Sequence, residues 1–293
     1  MKKLLLLALS LMTSSMLMAQ GDLSLSQYAK LDGATKDGVQ GFTDGIQSGL
    51  NALEWTDGSG ADVFRIGIQI HSGFGIIPAS PEIGLSDDVP MPSFGGQVNL
   101  GTMGAELYLR MFPEIEGDGF SYGNFGLGAK YDITDFIPVT GFPSTSVYAS
   151  YTSYTFKVSG NQTVSGVETI DVGGTPYDAT YTTQVDAEIS LEGSSFNVGA
   201  ISSYDLWIMR VFGRIALEMA GSDISWNGAE PDANNVSGDP NSGFVIGTKP
   251  FSGGTDFGNS GLRLGVGLSL LGIKGEVGYM NGSYFGVGYG ITF

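Results

Sequence analysis

Cysteine is absent from the 293 residues, which excludes a disulfide framework, thiolate chemistry and a Cys-type zinc site. Histidine occurs once, as His71, and no His-Glu-x-x-His or phosphate-loop motif accompanies it, so the chain reads as a non-enzyme without cofactor or metal. Basic residues are scarce: 13 Lys and Arg stand against 30 Asp and Glu, a balance that argues against nucleic acid as a partner. Long apolar runs are missing beyond residue 18, so no segment supplies the roughly 20 apolar residues of a spanning helix.

The start of the chain is basic and then apolar: Met1-Lys2-Lys3 leads into residues 4–18, with the small Ala19 before Gln20. That is the pattern of a secretory signal peptide over residues 1–20. Its loss removes two basic residues and no acid, leaving 11 against 30 and a formal charge of −19. Glycine and tyrosine are abundant, 47 and 13 residues, as in barrels built of alternating strands. Residues 21–60 lack strand alternation. Their apolar residues, among them Leu31, Val39, Phe42, Ile46, Leu50 and Leu53, fall three or four apart between glycines. This segment is expected to form short helices and irregular chain, acidic enough to act as a plug.

From residue 61 the period becomes two, so each strand acquires an apolar face and a polar face. Ile66, Ile68 and Ile70 oppose Arg65, Gln69 and His71, and Leu107, Leu109 and Met111 oppose Glu106, Tyr108 and Arg110. Phe125, Leu127 and Ala129 oppose Asn124, Lys130 and Asp132; Val211, Ile215 and Leu217 oppose Arg210, Arg214 and Glu218. Leu264 and Val266 oppose Arg263, while Ile273 and Val277 oppose Lys274 and Glu276. Asn281-Gly282 reads as a two-residue hairpin turn. The apolar phase slips near Glu192-Gly193-Ser194. Read as a turn, the slip gives an antiparallel barrel of about ten strands, within a range of eight to 14; read as a bulge, nine. Residues 72–96, 160–178 and 221–260, rich in Gly, Pro, Asp, Asn or Thr, read as extended loops. Residues 148–158 show no face contrast.

Alternation alone also fits a soluble barrel. The final strand decides for a membrane: Phe285, Val287, Tyr289, Ile291 and Phe293 form an unbroken apolar row ending in an aromatic terminus. With the signal peptide, this row is expected to act as the assembly signal read by the barrel-assembly machinery of a Gram-negative outer membrane, with the apolar faces against lipid. The polar faces place Arg65, Arg110, Lys130, Arg210, Arg214, Arg263 and Lys274 inside with Glu106, Glu218 and Glu276, beside His71. Two readings follow. The lumen is an ion-paired filling completed by the acidic plug, or it is a basic constriction for small anionic or hydrophobic solutes. Passive or gated transport is therefore weighed against a closed structural or surface-interaction barrel. Loop acids such as Asp87-Asp88, Asp232 and Asp239 lack the spacing of an EF-hand.

Three blocks carry a resemblance: residues 41–50 (GFTDGIQSGL), residues 105–110 (AELYLR) and residues 126–133 (GLGAKYDI) continued by Asp135-Phe136-Ile137-Pro138. In these the chain resembles a family of Gram-negative outer-membrane proteins of unknown function, similar in layout to FadL-type long-chain fatty-acid channels. The resemblance implies a barrel preceded by a plug, and implies porin-like transport only by analogy of layout.

Overall fold

A computed structural model describes residues 36–79, 87–117, 119–172, 174–239 and 243–293. The expected signal peptide and the first part of the plug-like segment lie outside these residues. One helix, α1 (Lys36–Leu50), precedes ten strands: β1 (Arg65–Ile77), β2 (Val89–Thr102), β3 (Ala105–Gly117), β4 (Phe120–Asp132), β5 (Ser144–Val172), β6 (Thr175–Leu206), β7 (Met209–Asp239), β8 (Gly243–Leu270), β9 (Ile273–Tyr279) and β10 (Ser283–Thr292). Each strand pairs antiparallel with its chain neighbours, and β1 pairs β10 from Gly67↔Thr292 to Gly75↔Tyr284, so the sheet is a closed barrel. Closure leaves no edge within the paired band.

The period-two pattern determines which way each side chain points. Leu107, Leu109 and Met111 stand outside and exposed while Glu106, Tyr108 and Arg110 are buried inside. Ile215 and Leu217 likewise oppose the buried Arg214, Ala216 and Glu218. In the last strand Phe285, Val287, Tyr289 and Ile291 all face out, as does the terminal Phe293. At the end of the barrel where β10 finishes, three of the four connections are two residues long, and residues 133–143 between β4 and β5 are the longer fourth. At Met103-Gly104 and Leu271-Gly272 both turn residues have positive φ, the two-residue form whose twist matches the flanking strands.

Four expectations are corrected. No turn or bulge interrupts the chain at Glu192-Gly193-Ser194, because β6 runs through it in constant register against β5 and β7. The apolar residues change face without any backbone break: Phe196 and Val198 point out, whereas Ile189 and Leu191 point in and join an inner apolar cluster. The described residues within 72–96 and 221–260 are mostly strand, and those within 160–178 belong to the β5–β6 hairpin. In that hairpin, and in β7–β8 above the apolar band, neither face is uniformly apolar, so the pairing leaves no period to read. The last hairpin turns through Met280, Asn281 and Gly282, three residues rather than two, with Ser283 opposite Tyr279. Strand heights differ accordingly. β5–β6 pairing continues to Val172↔Thr175, while β9 stops at Tyr279 opposite Leu264 of the much longer β8.

Candidate functional site

The lumen is occupied by the protein itself. α1 contains three glycines at four-residue spacing, Gly41, Gly45 and Gly49, each costing about 1 kcal/mol of helix propensity against alanine. Their use is contact. A Cβ on Gly49 would lie 2.4 Å from the backbone nitrogen of Gly75, and one on Gly75 would lie 1.6 Å from the carbonyl oxygen of Gly45. Helix and β1 therefore meet backbone to backbone. Ile46 and Leu50 extend into an apolar layer with Ile77, Phe94, Tyr122, Tyr154, Phe156 and Leu191, each fully buried aliphatic side chain contributing roughly 1.5–3 kcal/mol. After the helix the chain continues down the lumen through Asn51, Leu53, Trp55 and Gly58 before it enters β1.

The end of α1 has no basic residue in its last turn, so its terminal carbonyls need partners from elsewhere. Three arginines of the barrel wall supply them. Arg263 donates to the carbonyls of Ser48 (2.9 Å) and Gln47 (3.2 Å), Arg110 to Leu50 (2.9 Å) and Arg214 to Asn51 (2.6 Å). Each is fixed in turn: Arg263 Nε on Glu218 at 2.6 Å, Arg214 Nε on Glu276 at 2.6 Å with Glu54 at 3.4 Å, and Arg110 on the Gln97 amide oxygen at 3.0 Å. The side chains of Arg214, Arg263, Glu54, Glu218 and Glu276 are all 0% exposed. A buried cation on a helix C-terminus is favourable for both the orphan carbonyls and the helix dipole. These six wall groups form a clamp on the plug.

Below the clamp is a chamber of about 490 Å³ bounded by Trp55, Asp57, Arg65, Gln69, Glu106, Lys130, Arg210 and Lys274. Here the plug's Asp57 accepts ion pairs from Arg210 and, at 3.7 Å, from Arg65. Burial raises the Asp57 carboxyl, but Lys130 and Arg210 outweigh it and hold the group below the usual carboxylate range. Glu106 takes Arg65 at 2.5 Å and Lys130 at 3.3 Å. Lys130 also donates to the carbonyls of Asp57 and Ser59, fastening the chain where it leaves the lumen. Lys274 differs. Its Nζ donates to the amide oxygen of Gln69 at 2.5 Å and forms none of the chamber's ion pairs.

The eleven residues picked from alternation all point inward, but into two groups: Arg110, Arg214, Glu218, Arg263 and Glu276 in the clamp, and Arg65, Glu106, Lys130, Arg210 and Lys274 around the chamber. His71 stands apart, buried against Gly95 with Nδ1 unpartnered. The sequence marks the plug as acidic, Glu54 and Asp57 among its acids, but does not reveal the role of its four carbonyls or its close approach to β1. The spacing of Gly41, Gly45 and Gly49 was its signal, since a glycine face on a helix marks close backbone approach. A Gly-x-Ser-x-Gly spacing at residues 119–123 lies on the β3–β4 hairpin rather than a strand-to-helix turn, and Ser121 donates to Glu114 at 2.6 Å. It therefore lacks the context of a nucleophile elbow.

Among solved structures the chain is similar to the CymD monoaromatic hydrocarbon channel, at 10% identity over 79% of this chain and 88% of that one, with a TM-score of 0.25. It is also similar to the outer membrane protein opdK from Pseudomonas aeruginosa, at 8% identity over 78% and 99%, with a TM-score of 0.11. No curated protein matches it. A family model described as a family of unknown function, DUF6588, matches residues 81–293. The match spans the blocks at 105–110 and 126–138, and leaves α1, the rest of the plug and β1 outside. With nine of the ten strands inside that match, the chain belongs to the DUF6588 family.

Proposed function

We propose that this protein is exported, inserts into the Gram-negative outer membrane and forms a plugged channel that admits a small anionic solute. The outward band of Leu107, Leu109, Ile215, Leu217, Leu264 and Val266, half exposed with no charge among them, supports lipid contact, because exposing such a continuous surface to water is unfavourable. The aromatic row ending at Phe293 supports recognition by the assembly machinery.

Lys274 carries the channel reading. A cation with one amide acceptor, facing a 490 Å³ chamber whose acids are already shared by Arg65, Lys130 and Arg210, has donors to spare for an incoming carboxylate or similar anion. Liposome swelling and single-channel recording on the purified full chain test it. Uptake of small carboxylates is expected to exceed that of neutral solutes of equal size, and Lys274→Gln to remove the preference. Absence of uptake and conductance in the folded barrel would reject transport.

A second reading is favoured by a separate observation. Among the described residues the inner cations Arg65, Arg110, Lys130, Arg210, Arg214, Arg263 and Lys274 number seven, and so do the inner acids Asp44, Glu54, Asp57, Glu106, Asp132, Glu218 and Glu276. A lumen neutralised by its own plug suits a closed barrel that acts through its tall β5–β8 hairpins.

A further inference from the structure

Unpaired buried polar groups are not spread evenly through the lumen. Among the described residues, fifteen buried side-chain polar atoms lack a hydrogen-bond partner, and ten of them belong to Tyr148, Ser150, Thr152, Tyr154, Asn197, Ser222, Gln47 and Asn51. The first four are the successive inward side chains of β5, so every hydroxyl in that row is orphaned. Their opposite numbers on β6 are Gly199, Asn197, Ser195 and Gly193, and both polar atoms of Asn197 are also unpartnered. Tyr154 lies close to Gln47 and Ser222, and Ser150 close to Tyr108, but these approaches fall short of well-formed hydrogen bonds.

The row begins beside Lys130, which is the cross-strand partner of Tyr148 at the chamber, and rises to Tyr154 under the apolar layer. Six residues of strand at about 3.3 Å each make it roughly 20 Å long. It carries no charge. Between Ser146, which donates to the carbonyl of Gly58, and the top of the row, the plug's hydrogen bond to the β5–β6 wall is that of Asn51 with Ser195 of β6 at 2.8 Å. Groups like these, buried and unpaired, each cost about 1–3 kcal/mol unless something fills their valences. Elsewhere around the plug such atoms are scattered singly, at Trp55, His71, Ser72, Asn124 and Trp226, and the clamp fills its valences with arginine and glutamate.

We propose that the plug parts from the barrel along β5, and that the row Tyr148–Ser150–Thr152–Tyr154 is the surface along which the solute passes α1. Hydroxyls in file accept and donate, so they replace the hydration of a small anion or polar solute leaving Lys130 without trapping it as a fixed charge would. The clamp meanwhile holds the other side of the plug. This inference rests on the channel reading for its second half only.

Thiol labelling tests it cleanly, because the chain has no cysteine. Ser150→Cys, Thr152→Cys and, on the clamped side, Ser93→Cys are refolded in lipid, checked for heat-modifiable migration and exposed to a small charged methanethiosulfonate. Labelling at the two β5 positions is expected to be at least about ten-fold faster than at Ser93→Cys, as for local opening confined to one side. Equal or faster labelling at Ser93→Cys, or no labelling at either β5 position, overturns the parting of the plug there. In single-channel recording, reagent on Thr152→Cys is expected to block current and reagent on Ser93→Cys to leave it. Current unaffected by a fully labelled Thr152→Cys overturns the path, whereas a barrel that never conducts rejects transport and leaves the labelling comparison to judge the parting alone.

Discussion

Seen from the plug, the two halves of the barrel wall are chemically different. Toward β1–β3 and β7–β10, glycine backbones touch and guanidiniums reach helix carbonyls, each clamp arginine being held in turn by a carboxylate or an amide oxygen. Toward β5 the plug meets aromatic rings and a row of hydroxyls without well-formed hydrogen bonds. Both sides are equally buried, so burial alone does not distinguish an anchored surface from a releasable one. Satisfaction of polar groups does. A paired buried ion costs 3–5 kcal/mol when its partner is removed, whereas an unpaired hydroxyl has nothing to lose.

Substitutions that attack this contrast have graded outcomes. The largest effect is expected from Arg214→Met, which leaves Glu276 and Glu54 buried without their cation. Urea unfolding in lipid vesicles, read by gel migration, is expected to show a loss of about 3–5 kcal/mol, and a loss no greater than that of a surface substitution would erase the anchored side. Gly49→Ala comes next. Its methyl group meets the β1 backbone, and a cost of about 1–3 kcal/mol, typical of overpacking, should appear with faster proteolysis of α1.

Asp44 gives a pH dependence on the same side. Burial raises its carboxyl to about 6 from 3.8, against the smaller opposing effect of the hydrogen bond from Asn259. A carboxyl raised in the folded state binds its proton more tightly there, so its support is greatest below pH 3.8 and is lost as pH rises through about 6. Hydrogen exchange in α1 is expected to quicken across that window, and Asp44→Asn to flatten the dependence; an unchanged profile in Asp44→Asn would assign it elsewhere. The smallest loss belongs to Thr152→Val. Removing an orphaned hydroxyl should cost no stability and raise it by up to about 1–3 kcal/mol. A loss as large as that of Gly49→Ala would show the β5 side to be anchored too.

Much of the wall is legible in the sequence, because outward apolar and inward polar side chains alternate wherever one face is apolar. Arg110, Arg214 and Arg263 were recognisable as inward residues on that basis. Their task was not, since a guanidinium capping a helix some 60 to more than 200 residues away in sequence leaves no local trace. The β5 row was illegible for the opposite reason. Tyr, Ser and Thr suit either face, so Tyr148 to Tyr154 carried no contrast with Ala149, Tyr151 and Ser153. At Ile189 and Leu191 the pattern misled. There the apolar side belongs to an inner cluster, and a change of surroundings imitates a change of backbone.

The clamp also bears on the order of folding. α1 is the first helix in the described chain, yet a glycine-rich segment of 15 residues is marginal by itself in water. The groups that complete it come from β3, β7 and β8, and the strand that holds it in register, β1, closes only against the last strand made. The earliest element is thus among the last to become stable. The barrel has to close around an unformed α1, so plug insertion and ring closure become one kinetic event, and a defect in either should be observed as slow assembly of the whole.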